Sequence, residues 1–499
     1  MRLTLGLYAL LALLVVPIFP HFVSPNEMTR WATAAAIVDG HTFEITPLLP
    51  LLGGNAFEDA AEVEGRVYSN KAPGAALIGL PAYALARAIV GPPSVATMRV
   101  TTNAMRILAA TIPLLLLAWS LSRAAKKLGA ERSESAAFAL LFATPLFAYG
   151  LLNFSHALTA AALFGAWVLL FVERNDYAAG ALIGLATISE YPCIIAGIML
   201  LACAWRRAPR IIIGGLPFAI GLAIYNKLLF GSIFALSSGS ERNAQFRAMA
   251  AEGVFGIGIP QVTTLARLLC DPARGLLIFA PILLVALAAL PRARRAMSRE
   301  AFLALILVPT ALIVFYSGYP NWHGGWSVGP RYLMPAIPFL LFPLAFAASS
   351  ILEWLALGAS IAAVVPLALT FSFPDRSFAA PWTTLALPLL RDGLVAPNAM
   401  HLIARPLAIG IPFAIVIIAV VMNAKRNAIY VAIGIALMLA LGMLTKETLT
   451  DRLRIGYIEE VYFEQPDAMA RNLGGLPIPP RAIARAQAEK ALPPTSWPF

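Results

Sequence analysis

The stretch GAALIGLPAYALARAIVG, residues 74–91, decides how the chain threads the membrane. It is apolar and close to the roughly 20 residues a helix needs to cross a bilayer. Counted as a span, it would carry the basic cluster Arg123, Lys126, Lys127 and Arg132 to the outside, against the tendency of Lys and Arg to stay on the cytoplasmic side. Pro81 and Arg87 also suit a helix lying at the membrane surface better than one in hydrocarbon. Read as interfacial, it leaves that cluster inside, together with Arg206, Arg207 and Arg210, with Arg292, Arg294, Arg295 and Arg299, and with Lys425 and Arg426.

Little besides membrane segments surrounds this stretch. Of the 499 residues, 60% are hydrophobic and 13% charged, and the mean hydropathy is +0.77, outside the soluble globular range. The net charge of +11 sits in short clusters between apolar runs, which marks membrane topology and excludes nucleic acid as the natural partner. Cys193, Cys203 and Cys270 show no CxxC spacing, so neither a disulfide framework nor a zinc site is indicated.

Apolar runs predict about 13 transmembrane helices, near 3–20, 100–120, 136–152, 157–172, 177–189, 192–205, 211–230, 273–290, 300–317, 332–349, 352–372, 404–424 and 427–445. The fold class is therefore an all-α polytopic membrane protein: a membrane domain over 1–445, then a Pro-rich tail over 446–499 too short for a core of its own. The first run lacks a small-x-small cleavage site and reads as a retained helix with its N-terminus in the cytoplasm. The long first loop (21–99), the loops 231–272, 318–331 and 373–403, and the tail then face outward.

Polar residues gather in those outer loops. PNEMTRWATAAAIVDG (25–40) follows the first apolar run and places Glu27 and Arg30 on one helix face. A carboxylate at a helix exit can deprotonate an acceptor hydroxyl, or it can simply pair with its neighbours. Lys71 in GRVYSNKAPG (65–74) can hold a phosphate as a point charge or snorkel to the interface. YSGYPNWHGGWSVGPRYLMP (316–335) supplies Trp322, Trp326, Tyr319 and Tyr332 as aromatic surface for the membrane boundary, plus His323 and Arg331, which an aromatic belt does not need; Tyr332 joins these two as a substrate-binding candidate. His156 in NFSHA, Glu190 in ISEYP and Asn226 in IYNKLLFGS are secondary candidates, since ionisable or polar groups within apolar segments are costly. No HExxH, EF-hand or Walker A pattern is present, so neither a metal site nor ATP hydrolysis is supported by motif.

Taken in order, the motifs PNEMTRWATAAAIVDG, GRVYSNKAPGAALIGLPAYAL, NFSHA, ISEYP, YNKLLFGS, RGLLIFAPILL and WHGGWSVGPRYLMPAIP resemble the GT-C superfamily of polytopic glycosyltransferases. The branch is that of bacterial lipid A aminoarabinose transferases and protein O-mannosyltransferases. The resemblance implies transfer of a sugar from a polyprenyl-phosphate donor to a lipid, glycan or protein acceptor on the outer face of a bacterial inner membrane. It implies no cofactor, with a divalent ion left open. The family's acidic pair and arginine would fall on Asn26, Glu27 and Arg30, and its Tyr-x-x-Lys-x-Pro on Tyr68, Lys71 and Pro73. Lys71, His323 and Arg331 would then hold the phosphate leaving group. Asn26 and Asn70 stand where carboxylates are usual, and an amide cannot serve as a carboxylate base. The base then falls to Glu27 or to Asp59, or the chain binds lipid-linked glycan without catalysis. A secondary transporter, a reading from another class, calls for polar residues at midplane and internal repeats.

Overall fold

In a computed structural model the apolar runs form helices, but their lengths are uneven. The structure describes residues 1–15, 24–52, 54, 57, 59–253, 256–446 and 448–464. Most of the tail therefore lies outside the described residues. The main helices are α1 (Arg2–Val15), α2 (Pro25–Gly40), α3 (Gly74–Val90), α4 (Val95–Lys127), α5 (Ser133–Phe142), α6 (His156–Glu173), α7 (Asp176–Ser189) and α8 (Cys193–Cys203). They continue with α9 (Trp205–Phe230), α10 (Arg299–Tyr316), α11 (Arg331–Phe346), α12 (Ile351–Thr370), α13 (Arg405–Ala424), α14 (Ala428–Met443) and α15 (Leu449–Ile458).

Among the described residues, six helical runs are long and apolar enough to cross a membrane by length and composition, not the expected 13. Part of the difference arises because the last two expected spans fall within one run, Arg405–Met443, and part where prolines interrupt apolar runs. The run at 273–290 becomes two pieces, Leu276–Phe279 and Ile282–Ala288, broken at Pro281, and Pro192 separates α7 from α8. The decisive stretch 74–91 is helical as expected. Its Arg87 and Tyr83 reach Asp39 at the end of α2, at 2.6 and 2.8 Å, while Leu85 and Ile89 stay exposed.

Glycines bring the most tightly packed helices together. A Cβ at Gly180 on α7 would stand 1.8 Å from the Ile211 carbonyl oxygen, and one at Gly214 on α9 would stand 2.0 Å from that of Tyr177. Only a bare backbone allows that approach, the arrangement that membrane helices use in place of a hydrophobic driving force.

The two ends of the bundle differ in chemistry. At one end the basic loops are stapled by ion pairs: Lys127 to Glu173 (2.5 Å), Arg207 to Asp176 (2.5 Å), Lys126 to Glu134 (2.8 Å), and Arg132 to Glu353. At the other end stand the end of α7, the start of α6, the loop after α10, and a two-stranded antiparallel hairpin, β1 (Ala61–Val63) and β2 (Arg66–Tyr68). This second end carries the cavity.

Candidate functional site in the first-loop cavity

The hairpin fixes the site's first two charges. Its turn falls at Glu64 and Gly65, both with positive φ (52° and 78°), the geometry of a tight hairpin turn. Ala61 pairs with Tyr68, so the chain on either side brings Asp59 opposite Asn70 and Lys71. Lys71 Nζ lies 2.8 Å from Asp59 Oδ1, and the Asn70 side-chain amide donates to the same oxygen at 2.8 Å. Among the described residues, Asp59 Oδ2 accepts no hydrogen bond. Burial works against the Asp59 charge, but the Lys71 ammonium and the hydrogen bonds from Lys71 and Asn70 outweigh it and hold the carboxyl below its ordinary value.

A segment of the second outer loop closes the other side of β1. Glu241 bridges to Ala61, and Arg242 donates its backbone N–H to the Ala60 carbonyl at 2.8 Å and pairs with Glu62 at 2.8 Å. Glu241 thereby reaches Asn70, whose Nδ2 donates to Glu241 Oε2 at 2.8 Å while also holding Asp59. One amide spaces two carboxylates. A carboxylate at position 70 would have put three negative groups here, which is a physical reason for the asparagine. Burial, reinforced by the charge of Asp59, pushes the Glu241 carboxyl up to about 7 against the pull of Lys71 and Asn70.

These groups face a cavity of about 640 Å³ whose walls include Asn26, Asp59, Lys71, Glu241, Arg331 and Tyr332. Arg331 is held by shape as much as by bonds. Its guanidinium donates to the Tyr332 hydroxyl at 3.2 Å, lies 5.1 Å from the Tyr332 ring centre and 5.9 Å from that of Phe154. Gly324 (φ 70°) lies against it so closely that a Cβ would stand 2.7 Å from Arg331 Nε. Arg274, fully buried, ties this loop to the next by donating to the Gly325 and Pro374 carbonyls at 3.1 and 2.5 Å.

The sequence candidates separate into three groups. Asp59, Lys71, Arg331 and Tyr332 come together in the cavity wall. Arg30 lies beneath them, bonded to the Asn26 carbonyl (2.8 Å) and the Ser155 hydroxyl (3.1 Å). Beside it Glu190 Oε1 gathers Ser155 (2.8 Å), His156 Nδ1 (2.6 Å) and Thr159 (3.3 Å). Buried His156 and half-buried Glu190 thus form a polar pair beside Arg30.

The remaining candidates take other positions. Glu27 is fully buried, and both its oxygens are used: Arg106 donates Nε to Oε1 (2.9 Å) and an NH2 to Oε2 (2.8 Å), and the Asn153 backbone adds 2.6 Å. Its partner is Arg106, not Arg30. Tyr68 is buried, edge-on to Phe230. Asn226 braces a turn through the Ile233 carbonyl at 3.3 Å. His323 Nδ1 accepts from the Gly325 N–H at 3.0 Å, and burial together with Arg376, Arg274 and Arg331 lowers its imidazole to about 4. At neutral pH its imidazole is therefore uncharged, and with Nδ1 accepting, Nε2 carries the ring proton.

Sequence reasoning missed Glu241, and it also missed Tyr457 and Tyr462, which line the cavity from the start of the tail. Arg454 pairs with Asp375 and docks that segment. Nothing in the local pattern around Glu241 distinguishes it from other loop acids; its register against β1 does. Among the described residues, no group of three or more His, Cys, Asp or Glu is placed to hold a metal ion.

No family model and no curated protein matches the chain. Two solved structures are similar to it. ArnT from Cupriavidus metallidurans in the apo state aligns at 17% identity and a TM-score of 0.48, covering 97% of this chain and 87% of that one. The Archaeoglobus fulgidus oligosaccharyltransferase in the apo form aligns at 12% and 0.40, covering 99% of this chain and 61% of that one.

Proposed function

We propose that this chain is a membrane glycosyltransferase that moves a sugar from a polyprenyl-phosphate donor to a hydroxyl-bearing acceptor at the outer face of a bacterial inner membrane. One observation carries the reading. A carboxylate with an open oxygen, Asp59, stands beside a lysine at 2.8 Å in a cavity whose wall also holds Arg331. The ordered motifs between residues 25 and 338 support the same class.

In this reading the donor phosphate enters between Lys71 and Arg331, with Tyr332 holding the guanidinium in place. As Lys71 turns toward the phosphate, Asp59 loses its ion pair and becomes more basic. Asp59 takes the proton of the acceptor hydroxyl, the acceptor oxygen bonds to the anomeric carbon, and the bond from that carbon to the phosphate oxygen breaks. The polyprenyl phosphate leaves with its electron pair. The negative charge that develops on it meets the Lys71 ammonium and the Arg331 guanidinium of the cavity wall. Glu27 stays outside this scheme as a structural residue.

The test is transfer by the purified chain in lipid nanodiscs, with a panel of polyprenyl-phosphate sugars and membrane extract as the acceptor source. Transfer from at least one donor, lost in Asp59→Asn, is the expected result. A wild type that neither transfers nor hydrolyses any donor, yet binds polyprenyl phosphate, would establish a non-catalytic binding protein instead.

A further inference from the structure

Asp59 and Glu241 each commit one carboxyl oxygen to the single amide nitrogen of Asn70, and both side chains line the same cavity. Among the described residues, neither Glu241 Oε1 nor Asp59 Oδ2 has a hydrogen-bond partner. Each acid thus keeps one carboxyl oxygen uncommitted in the wall of a cavity that Lys71 and Arg331 also line. If both carboxyls were ionised, their charges would cancel the two cations and leave no net attraction for an anion. A phosphate-binding cavity with this composition works best when one of the two keeps its proton.

We propose that Glu241 is a binding residue of this cavity that acts as a neutral carboxylic acid, donating a hydrogen bond from its open oxygen to a phosphate oxygen of the lipid-linked donor. The inference rests on the transferase reading above and names a ligand for a residue that reading leaves idle. The groups facing Glu241 divide the labour. Lys71 pairs with Asp59 at 2.8 Å, and Asn70 spaces the two acids. Arg247 donates to the Glu241 backbone carbonyl at 2.9 Å, and Arg242 is paired with Glu62 at 2.8 Å. The Tyr319 phenol, on the cavity wall, is pushed up by Tyr332 and by burial and stays uncharged at neutral pH. The proton thus belongs to Glu241, whose carboxyl lies at about 7, and not to Asp59, which is held low. Environments that push two neighbouring acids apart in this way assign one as donor and the other as acceptor.

The consequence has a sign. Below pH 7 Glu241 donates to the phosphate; as pH rises through 7 it becomes a second negative charge that repels the phosphate. The test is the dissociation constant of a polyprenyl-phosphate sugar, a phosphodiester whose charge does not change over this range, for the full-length protein in acceptor-free nanodiscs between pH 6 and 9, for wild type and Glu241→Gln. Wild-type affinity should fall with rising pH, by roughly tenfold per unit once above 7. Glu241→Gln, an amide donor that cannot ionise, should bind a few-fold more weakly at pH 6 but with a flat profile.

A role confined to packing leaves the wild-type slope in the variant and overturns the inference. A flat wild-type profile overturns it too, and needs no variant to fold. Transfer lost in Asp59→Asn with a flat wild-type binding profile would sink the role of Glu241 while sustaining the transferase. A wild type that binds no polyprenyl-phosphate sugar at any pH would sink both.

Discussion

Two carboxylates of the first loop, Glu27 and Asp59, look interchangeable in sequence and are opposites in the structure. Glu27 is sealed in the bundle with both oxygens spent on Arg106 and the Asn153 backbone. Asp59, in the cavity wall, ties one oxygen to Lys71 and Asn70 and leaves the other without a hydrogen bond among the described residues. A fully satisfied buried ion pair positions structure, whereas a carboxyl group with an unspent oxygen beside a movable cation is equipped to exchange a proton. The difference lies in unused hydrogen-bonding capacity rather than in residue type or proximity to the first helix.

The comparison breaks first at Asp59. Asp59→Asn keeps the shape and removes the base, so transfer should fall by about 10²–10⁴-fold, the usual contribution of general base catalysis, while the melting temperature stays close to wild type. Initial rates and a thermal unfolding scan check both halves. Glu27→Gln should do the reverse. It leaves Arg106 buried without its carboxylate, a loss of about 3–5 kcal/mol read as a lower unfolding temperature. Replacing Arg106 as well, in Glu27→Gln with Arg106→Met, should recover part of that loss, because the uncompensated charge is then gone.

A smaller effect sharpens the cavity side. Gly324→Ala puts a Cβ 2.7 Å from Arg331 Nε at a residue whose φ is 70°, so Arg331 must move. The Michaelis constant for the lipid-linked donor should rise by roughly tenfold while the turnover number changes less, since an interaction shared by ground and transition states is lost. Smallest of all is His323→Gln. Its imidazole, lowered to about 4 by burial first and then by nearby arginines, is uncharged from pH 5 to 8, so the variant's rate profile over that range should overlay the wild type. The unfolded chain takes up the His323 proton near 6.5 and the folded chain only near 4. Wild-type stability should therefore decline as pH falls between those values, a decline the Gln variant lacks.

The fold was readable wherever hydropathy carries the information. Each expected span overlaps a helix, and prolines at 192 and 281 mark the breaks. The site was readable only in part. Lys71, Arg331 and Tyr332 sit in motifs whose Gly and Pro residues shape local turns, and those survive as cavity residues. The partner of Glu27 was not legible, because an i, i+3 spacing suggests Arg30, whereas the partner in the structure lies 79 positions away. Glu241 was invisible for the same reason on a larger scale, since it meets Asn70 across 171 positions through a strand register that no periodicity announces. Local spacing reports shared faces; it does not report which long-range partner consumes a charge.

The most direct test of the central claim is the initial rate of sugar transfer by wild type, Asp59→Asn and Glu27→Gln, compared at equal amounts of folded, monodisperse protein. The account predicts that Asp59→Asn is inactive and that Glu27→Gln, though less stable, retains most of its rate per folded molecule. An active Asp59→Asn beside an inactive, folded Glu27→Gln would contradict it and return the chemistry to the first helix exit.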